Sequence, residues 1–375
     1  MEVAMEENVE EKMGVLKHTK VQQLVQRKGR LVEVPYSATV GDTLNALLAK
    51  SILAVPVAAP PGHWVGAGGS MIMEADKSTG HVRKQFIGMV SVLDILIHVV
   101  EEEGDDFADR LSSTVASIIG HSREGLSLWT ISPSASVYEA MEPMSKGIHR
   151  ALVPVESLMH HSNQIPVELM EASPGYHMLT QTDMVEFLLT HAKDLEFVTG
   201  LSISTLGIVQ TSVLAAPCNM KVMDVVKCMR NVSLTAVAIV DGVPDSSDAP
   251  KLVIGRGMKL IGKFSASDLR GCTTEVLQAW SSFSMIDLFG RASGAQQFGI
   301  GADFHARNTF ECKEMVSPPV TCSLTSSLEE VMSKALQNRV HQVWVIDDQG
   351  LLLGVVTFSD ILKVVRNFPL QQQLA

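Results

Sequence analysis

The sequence predicts an α/β fold, α+β in its layering, assembled from four repeats of β-α-β-β-α type. Three observations carry this. One short phrase recurs four times: an apolar residue with Gly or Met, a hydroxyl residue, Asp three positions later, then an apolar run. The copies are Ile87-Gly88-Met89-Val90-Ser91 with Asp94, Tyr176-His177-Met178-Leu179-Thr180 with Asp183, Ile261-Gly262-Lys263-Phe264-Ser265 with Asp268, and Leu353-Gly354-Val355-Val356-Thr357 with Asp360, the Asp residues lying 89, 85 and 92 positions apart. A helix-start signal precedes each copy, and a β-branched run separates the two. Repetition on this scale marks a scaffold of stacked supersecondary units.

Taken in order, each repeat opens on a strand: Leu31–Val34, Ser127–Ile131, Ile208–Leu214 and Val320–Ser323. The helix starts follow at Thr39-Val-Gly-Asp42, Ser136-Val-Tyr-Glu139, Lys221-Val-Met-Asp224 and Ser327-Leu-Glu-Glu330. Three have a hydroxyl at the cap and an acid three later, so both side chains satisfy orphan N–H groups. In the third, Lys221 weakens the cap or shifts it to Asn219. Apolar residues then recur at helical spacing: Leu44, Leu47 and Leu48; Met141 and Met144; Val225, Val226 and Met229; Val331, Met332 and Ala335. The middle strands are Leu53–Val57, Ala151–Val155, Thr235–Val240 and Val343–Ile346. The recurrent phrase supplies the last strand and opens the second helix: Ile95–Val100, Met184–His191, Leu269–Trp280 and Ile361–Val365.

The link between the last two strands varies. It is a tight turn at Asp347-Asp348-Gln349-Gly350, a long insert from Ala58 to Gln85, a loop with His160-His161, and a loop with Asp245–Asp248. Inserts gathered at one point of a repeat map to loops on one face. The expected organisation is a disordered acidic leader (1–14), repeat one (15–103), repeat two (121–193), repeat three (204–275), a flexible Gly/Ala/Gln-rich linker (285–310) and repeat four (311–370).

Composition excludes several classes. The 375 residues are 46% apolar, enough for a large core, and the net charge of −11 disfavours nucleic acid or an anionic membrane surface as partner. No apolar stretch reaches the roughly 18–20 residues of a membrane span. The acidic start is no secretory signal, and the five cysteines form no C-x-x-C pair, so a soluble cytoplasmic or nuclear protein with free thiols is expected. No G-x-S-x-G, H-E-x-x-H or kinase signature occurs, and no catalytic residue is assigned. Gly66-Ala-Gly-Gly-Ser70 and the glycines at 299 and 301 lack the Walker lysine and read as loops. His160-His161 has no ligand partner at metal spacing, so no metal is expected. The 19 methionines read as adaptable core.

A helix, an apolar strand, a Gly-containing strand and then S/T-x-x-D resembles the cystathionine-β-synthase (CBS) motif. Four copies without a catalytic domain resemble the gamma-type regulatory subunits of the AMP-activated and sucrose-non-fermenting-related kinases. Arg30-Leu-Val-Glu-Val-Pro35 and Ala54-Val-Pro-Val-Ala-Ala-Pro-Pro61 resemble the plant gamma-like branch, and the likeness spans about Val15 to Asn367. It implies CBS repeats paired into two Bateman modules that form a disc. It further implies a non-catalytic energy-sensing subunit, with kinase catalytic (alpha) and beta-type subunits as partners and AMP, ADP or ATP as regulatory ligands rather than cofactors. A scaffold of the same fold that binds no nucleotide is the alternative.

The phrase itself has two open readings. At a helix start the first N–H groups are unpaired and the dipole is positive, and an Asp there can accept from a ribose diol. The same pattern is also an ordinary capping box. The residues in question are Ser91, Asp94, Thr180, Asp183, Ser265, Asp268, Thr357 and Asp360. An adenine ring would then slot among Val90, Leu179, Phe264 and Val356. A phosphate needs separate cations. Repeat two offers His149-Arg150, matching the family's basic pair, and repeat four offers Arg339 and His341, with Gln342 where the family often has Arg. Repeats one and three have Leu53-Ala54 and Leu234-Thr235 there, without charge. Asp183 and Asp360 are therefore the expected ligand carboxylates, and Asp94 and Asp268 helix caps. Lys50, Lys146, Lys227, Arg230, Lys334 and Lys363 read as solvated helix-face residues. The insert 62–80 near Trp64 is expected to contribute to partner binding.

Overall fold

One topology is used four times in the computed structural model. It describes residues 13–59, 86–101, 107–122, 125, 128–155, 175–242, 250–270, 273–280, 282–292 and 318–372. The insert with Trp64, His160-His161, Asp245–Asp248, the glycines at 299 and 301, and most of the leader and of the 285–310 linker lie outside these residues.

Repeat one comprises β1 (Val34–Pro35), α3 (Val40–Ala49), β2 (Ala54–Ala58), β3 (Phe86–Ser91) and α4 (Val92–Glu101), preceded by α1 (Gly14–His18) and α2 (Val21–Val25) and followed by α5 (Phe107–Ser112). Repeat two has α6 (Val137–Ser145), β4 (Arg150–Pro154), β5 (Tyr176–Thr180) and α7 (Gln181–Thr190), then the short α8 (Glu196–Thr199). Repeat three has β6 (Leu214–Pro217), α9 (Val222–Asn231), β7 (Ala236–Val240), β8 (Val253–Ile254) and β9 (Leu260–Ser265), then α10 (Thr274–Trp280) and α11 (Met285–Ala292). Repeat four has β10 (Thr321–Cys322), α12 (Leu328–Gln337), β11 (Gln342–Ile346), β12 (Leu352–Thr357) and α13 (Phe358–Gln372). The opening strand runs parallel to the middle one, and the middle strand antiparallel to the last, in repeats one, three and four. In repeat two the opening strand shrinks to a parallel bridge from Thr130 to Leu152.

The cores show how the repeats join. One cluster merges repeats one and three through α4 and α9, with Leu44, Ile95, Val226 and Trp280 inside it. A second merges repeats two and four through α6, α7, α12 and α13, with Met141, Leu188, Met332 and Leu362. A third joins the sheets of repeats three and four through Ala238, Trp344 and Leu352. Phe86 and Tyr176 meet edge to face at 5.8 Å between the sheets of repeats one and two. Repeats therefore pair by sheets within each Bateman module, and the modules meet by helices to close the disc.

Several expectations need correction. Met13, within the expected leader, and Leu16 are fully buried in the core of repeats two and four. Lys221 caps α9 without a side-chain bond, and no shift to Asn219 occurs. Ser327 accepts from the Glu330 N–H, but Glu330 pairs with Lys334 instead of completing the box. The helix expected over Leu269–Trp280 is broken: a 3-10 turn spans Ala266–Leu269, and α10 restarts at Thr274. The Thr273 hydroxyl bonds Glu275 at the new start. The expected flexible linker opens with α11, whose start carries a further S-x-x-D box in which Ser284 Oγ donates to Asp287 Oδ2 at 2.5 Å.

Candidate functional site

All four recurrent phrases fold as capping boxes. In each, the Asp Oδ2 accepts from the backbone N–H and the hydroxyl of the residue three before it. The distances are 2.8 and 2.5 Å for Ser91–Asp94, 2.6 and 2.7 Å for Thr180–Asp183, 2.9 and 2.7 Å for Ser265–Asp268, and 2.9 and 2.6 Å for Thr357–Asp360. The box is local chemistry, and α3, α6 and α11 carry it too. What separates the copies is the further donor that each carboxylate meets.

Asp94 is fully buried, and its Oδ1 accepts from the Ser122 N–H at 2.6 Å. Burial pushes its carboxyl above the ordinary value in spite of the bonds from Ser91 and Ser122. The chain after α5 packs over this repeat: a Cβ on Gly88 would stand 2.4 Å from Ile119 Cγ2, and one on Gly125 2.7 Å from the Met89 carbonyl. Asp268 is also buried, and Oδ1 accepts from the Nζ of Lys263, itself only 1% exposed. A Cβ on Gly262 would stand 2.4 Å from Phe289 Cζ, so α11 seals repeat three. These two carboxylates are helix caps closed by their own chain.

Repeats two and four stay more open. Lys28 Nζ donates to Asp183 Oδ2 at 2.5 Å and to the Met178 carbonyl at 2.8 Å. In repeat four Gln210 meets the equivalent carbonyl and Asp, its backbone N–H on the Val355 carbonyl at 2.9 Å and its Nε2 on Asp360 Oδ1, the oxygen the box leaves open, at 2.7 Å. Both come from the segment leading into the preceding repeat, which lies across the partner sheet. Asp183 thus meets a cation and Asp360 a neutral amide.

Three clefts lie where the repeats converge. The largest, about 720 Å³, has walls from all four repeats: Met89 and Leu93 from the first, Lys146, His149 and Arg150 from the second, Gln210, Ser212, Leu214 and Arg230 from the third, and Gln342, Trp344, Val355 and Thr357 from the fourth. A narrower cleft of about 240 Å³ gathers Ser91, Ser265, Thr357, His149, Arg150 and His341. A third, about 340 Å³, lies beside Thr180 and is lined by Lys28, Arg30, His149, Arg150, Arg270 and His341. No Asp or Glu is among the lining residues of the three. The chain carries a net −11, so this is a local concentration of positive charge in an acidic molecule. Burial, together with Arg339 and Arg150 nearby, lowers the Arg270 guanidinium below its ordinary value.

The structure brings His149 and Arg150 to all three clefts, and His341 to two of them, its Nε2 3.3 Å from Thr182 Oγ1. Arg339 is exposed at φ 53° in the turn before β11 and lines none of the three clefts. The adenine-lining expectation is overturned: Val90, Leu179, Phe264 and Val356 are buried in the cores. The cleft takes their neighbours Met89 and Val355, because side chains alternate faces along a strand. Lys146 and Arg230, read from the sequence as helix-face residues, line the large cleft, and Arg270 was missed altogether. Lys146 caps the C-terminus of α6 just before Gly147, and Arg230 lies in the last turn of α9.

Four CBS-type repeats in a closed disc define a regulatory-subunit architecture, and comparison with known proteins agrees. A CBS-domain family profile matches residues 311–367. The chain is 46% identical over 368 residues to the Arabidopsis thaliana SNF1-related protein kinase regulatory subunit gamma-like PV42a, covering 96% of this chain and 99% of that protein. It is 40% identical to gamma-like PV42b of the same plant, over 93% and 94% of the two chains. The crystal structure of MJ1225 from Methanocaldococcus jannaschii, proposed as an archaeal homologue of g-AMPK, superposes with a TM-score of 0.58 at 15% identity, over 92% of this chain and 99% of that one, and shares the fold. The chain belongs to the gamma-like regulatory subunits of the SNF1-related protein kinases.

Proposed function

We propose that this protein is a non-catalytic gamma-like subunit of a plant SNF1-related, AMP-activated-type kinase. It binds an adenine nucleotide (AMP, ADP or ATP) in the large cleft and reports energy state to catalytic (alpha) and beta-type subunits. One observation carries the reading: Thr357, which caps Asp360, shares a cleft with Lys146, His149, Arg150 and Arg230, and no acid lines it. The cations suit phosphate, and Leu214 and Val355 give an apolar wall for a base; Asp360 sits behind Thr357 and Gln210 and would meet a ribose diol once the Gln210 amide swings aside. The volume falls within the roughly 300–1,000 Å³ typical of small-ligand sites. Because all four repeats line it, a bound ligand would favour one arrangement of the disc, and a partner reading that arrangement would respond to occupancy.

A second reading is a nucleotide-independent scaffold of the same fold. It is favoured by the fact that each of the four Asp residues already meets a donor from its own chain. Isothermal titration of the folded protein with AMP, ADP and ATP separates the two. Saturable heat supports the sensor, and no heat at millimolar nucleotide leaves the scaffold.

A further inference from the structure

We infer that Lys28 is a built-in occupant of the repeat-two cleft: its ammonium latches onto Asp183 and the Met178 carbonyl and closes that cleft to nucleotide. The inference rests on the reading that these clefts take nucleotide, and it concerns which of them does so.

The argument is a comparison of two equivalent places in one molecule. Repeats two and four both present a carbonyl two residues before the capping hydroxyl and an Asp three after it. In repeat four both acceptors are met by Gln210, a neutral and exposed residue. In repeat two both are met by the Lys28 ammonium, at 2.8 and 2.5 Å. The bonds to Asp183 and Asp360 both end on an ionised carboxylate and so exceed a neutral one, and the Lys28 pair adds a charge–charge attraction that grows where water is partly excluded. Lys28 and Asp183 side chains are 29% and 16% exposed, so the pair is partly withdrawn from solvent. A ribose diol entering repeat two meets an ammonium held on Asp183 Oδ2, the oxygen the box also uses, whereas in repeat four it meets an amide on Asp360 Oδ1.

The latch is fixed from behind. The Val21 N–H bonds the Ala135 carbonyl, and the Val137 N–H bonds the Thr19 carbonyl, stitching the segment before Lys28 to the start of α6. Met13, Leu16, Val21 and Val25 are buried in the core of repeats two and four. His177 Nδ1 lies 3.3 Å from the Gly29 carbonyl, on the far side of Lys28. The segment is therefore anchored on both sides, and the ammonium arrives without a large entropic cost. Lys263 closes repeat three by the same chemistry from within its own strand.

Two measurements test this. The first is the AMP stoichiometry of the wild type and of Lys28→Gln, which copies the repeat-four arrangement. One site in the wild type and two in Lys28→Gln is expected. The second is Lys28 acetylation by a water-soluble amine reagent, read by peptide mass spectrometry. Lys28 should react several-fold more slowly than the exposed Lys50, and Asp183→Asn should abolish that difference. One site in both proteins, with Lys28→Gln folded, overturns the gate while leaving the large cleft intact. Lys28 reacting as fast as Lys50 in the wild type overturns the latch whatever the nucleotide result. No binding by either protein defeats the nucleotide reading and the gate with it, and the acetylation result then decides the latch alone.

Discussion

Gln210 Nε2 stands 2.7 Å from Asp360 Oδ1, so the repeat-four carboxylate is held by a neutral, exposed amide on the rim of the largest cleft. The carboxylate is thus oriented without being neutralised, which is what a ribose-binding group requires. Asp360→Ala should weaken AMP binding roughly ten- to hundredfold, the 1.5–3 kcal/mol of hydrogen bonds to a charged group. Asp183→Ala should leave the affinity unchanged. Titration calorimetry with parallel thermal melts checks both; equal affinities for Asp360→Ala and wild type would remove the ribose role and leave a cap worth about 0.5–2 kcal/mol.

Arg150 and Arg230 reach the same cleft from repeats two and three. Replacing either by Gln should lower affinity for AMP and flatten its dependence on salt, since ion pairing with phosphate is screened. Titrations at two ionic strengths measure this. A mutant with wild-type salt dependence would place the phosphate elsewhere.

Gly354 lies under the segment that carries Gln210. A Cβ there would stand 2.4 Å from Val209 Cγ1 and 2.6 Å from the Gln210 carbonyl. Gly354→Ala should destabilise by about 1–3 kcal/mol through overpacking. It should also weaken AMP binding, because Gln210 must shift. Denaturant unfolding and titration together test the coupling; a stability loss with unchanged affinity would separate the segment from the site.

Lys263 and Asp268 form a buried pair inside repeat three. Lys263→Met leaves the carboxylate buried and unpaired, a loss of about 3–5 kcal/mol. Adding Asp268→Asn should restore part of it. Urea unfolding of the single and double mutants gives the coupling energy, and purely additive losses would contradict the pairing.

Glu139 reaches back to the Ser136 N–H at 2.6 Å, and that bond holds its carboxyl below the ordinary 4.5. A depressed folded pKa means the contribution is present above pH 4.5 and is lost as pH falls through the lower folded value. The stability difference between wild type and Glu139→Gln should therefore shrink below pH 4.5. A difference that stays constant down to pH 3 would show that the carboxylate charge contributes nothing.

Much of the fold was legible because its signals are local. Thr39, Ser136 and Ser327 announce helix starts, and the apolar spacing of Val225, Val226 and Met229 fixes the buried face of α9. The short elements at the edges were not legible: α1, α2 and α11 form because Met13, Leu16, Met285 and Leu288 find distant cores, which no window of sequence contains. The S-x-x-D box at Ser284 could have been read and marks the start of α11. The uneven basic residues set Asp94 and Asp268 apart from Asp183 and Asp360 in the sequence, and the structure buries the first two. The bond from Lys28 to Asp183 was not legible, because Lys28 lies 155 residues away in sequence. The face of β12 that lines the cleft was misassigned by one residue, the smallest error a strand allows and one that exchanges core for cleft.

A crystal structure of the protein grown with millimolar AMP tests the central claim most directly. The account predicts nucleotide density in the large cleft, ribose hydroxyls on Asp360, and phosphate among Lys146, His149, Arg150 and Arg230. An empty cleft in such crystals, or a nucleotide seated on Asp94 or Asp268, would contradict it.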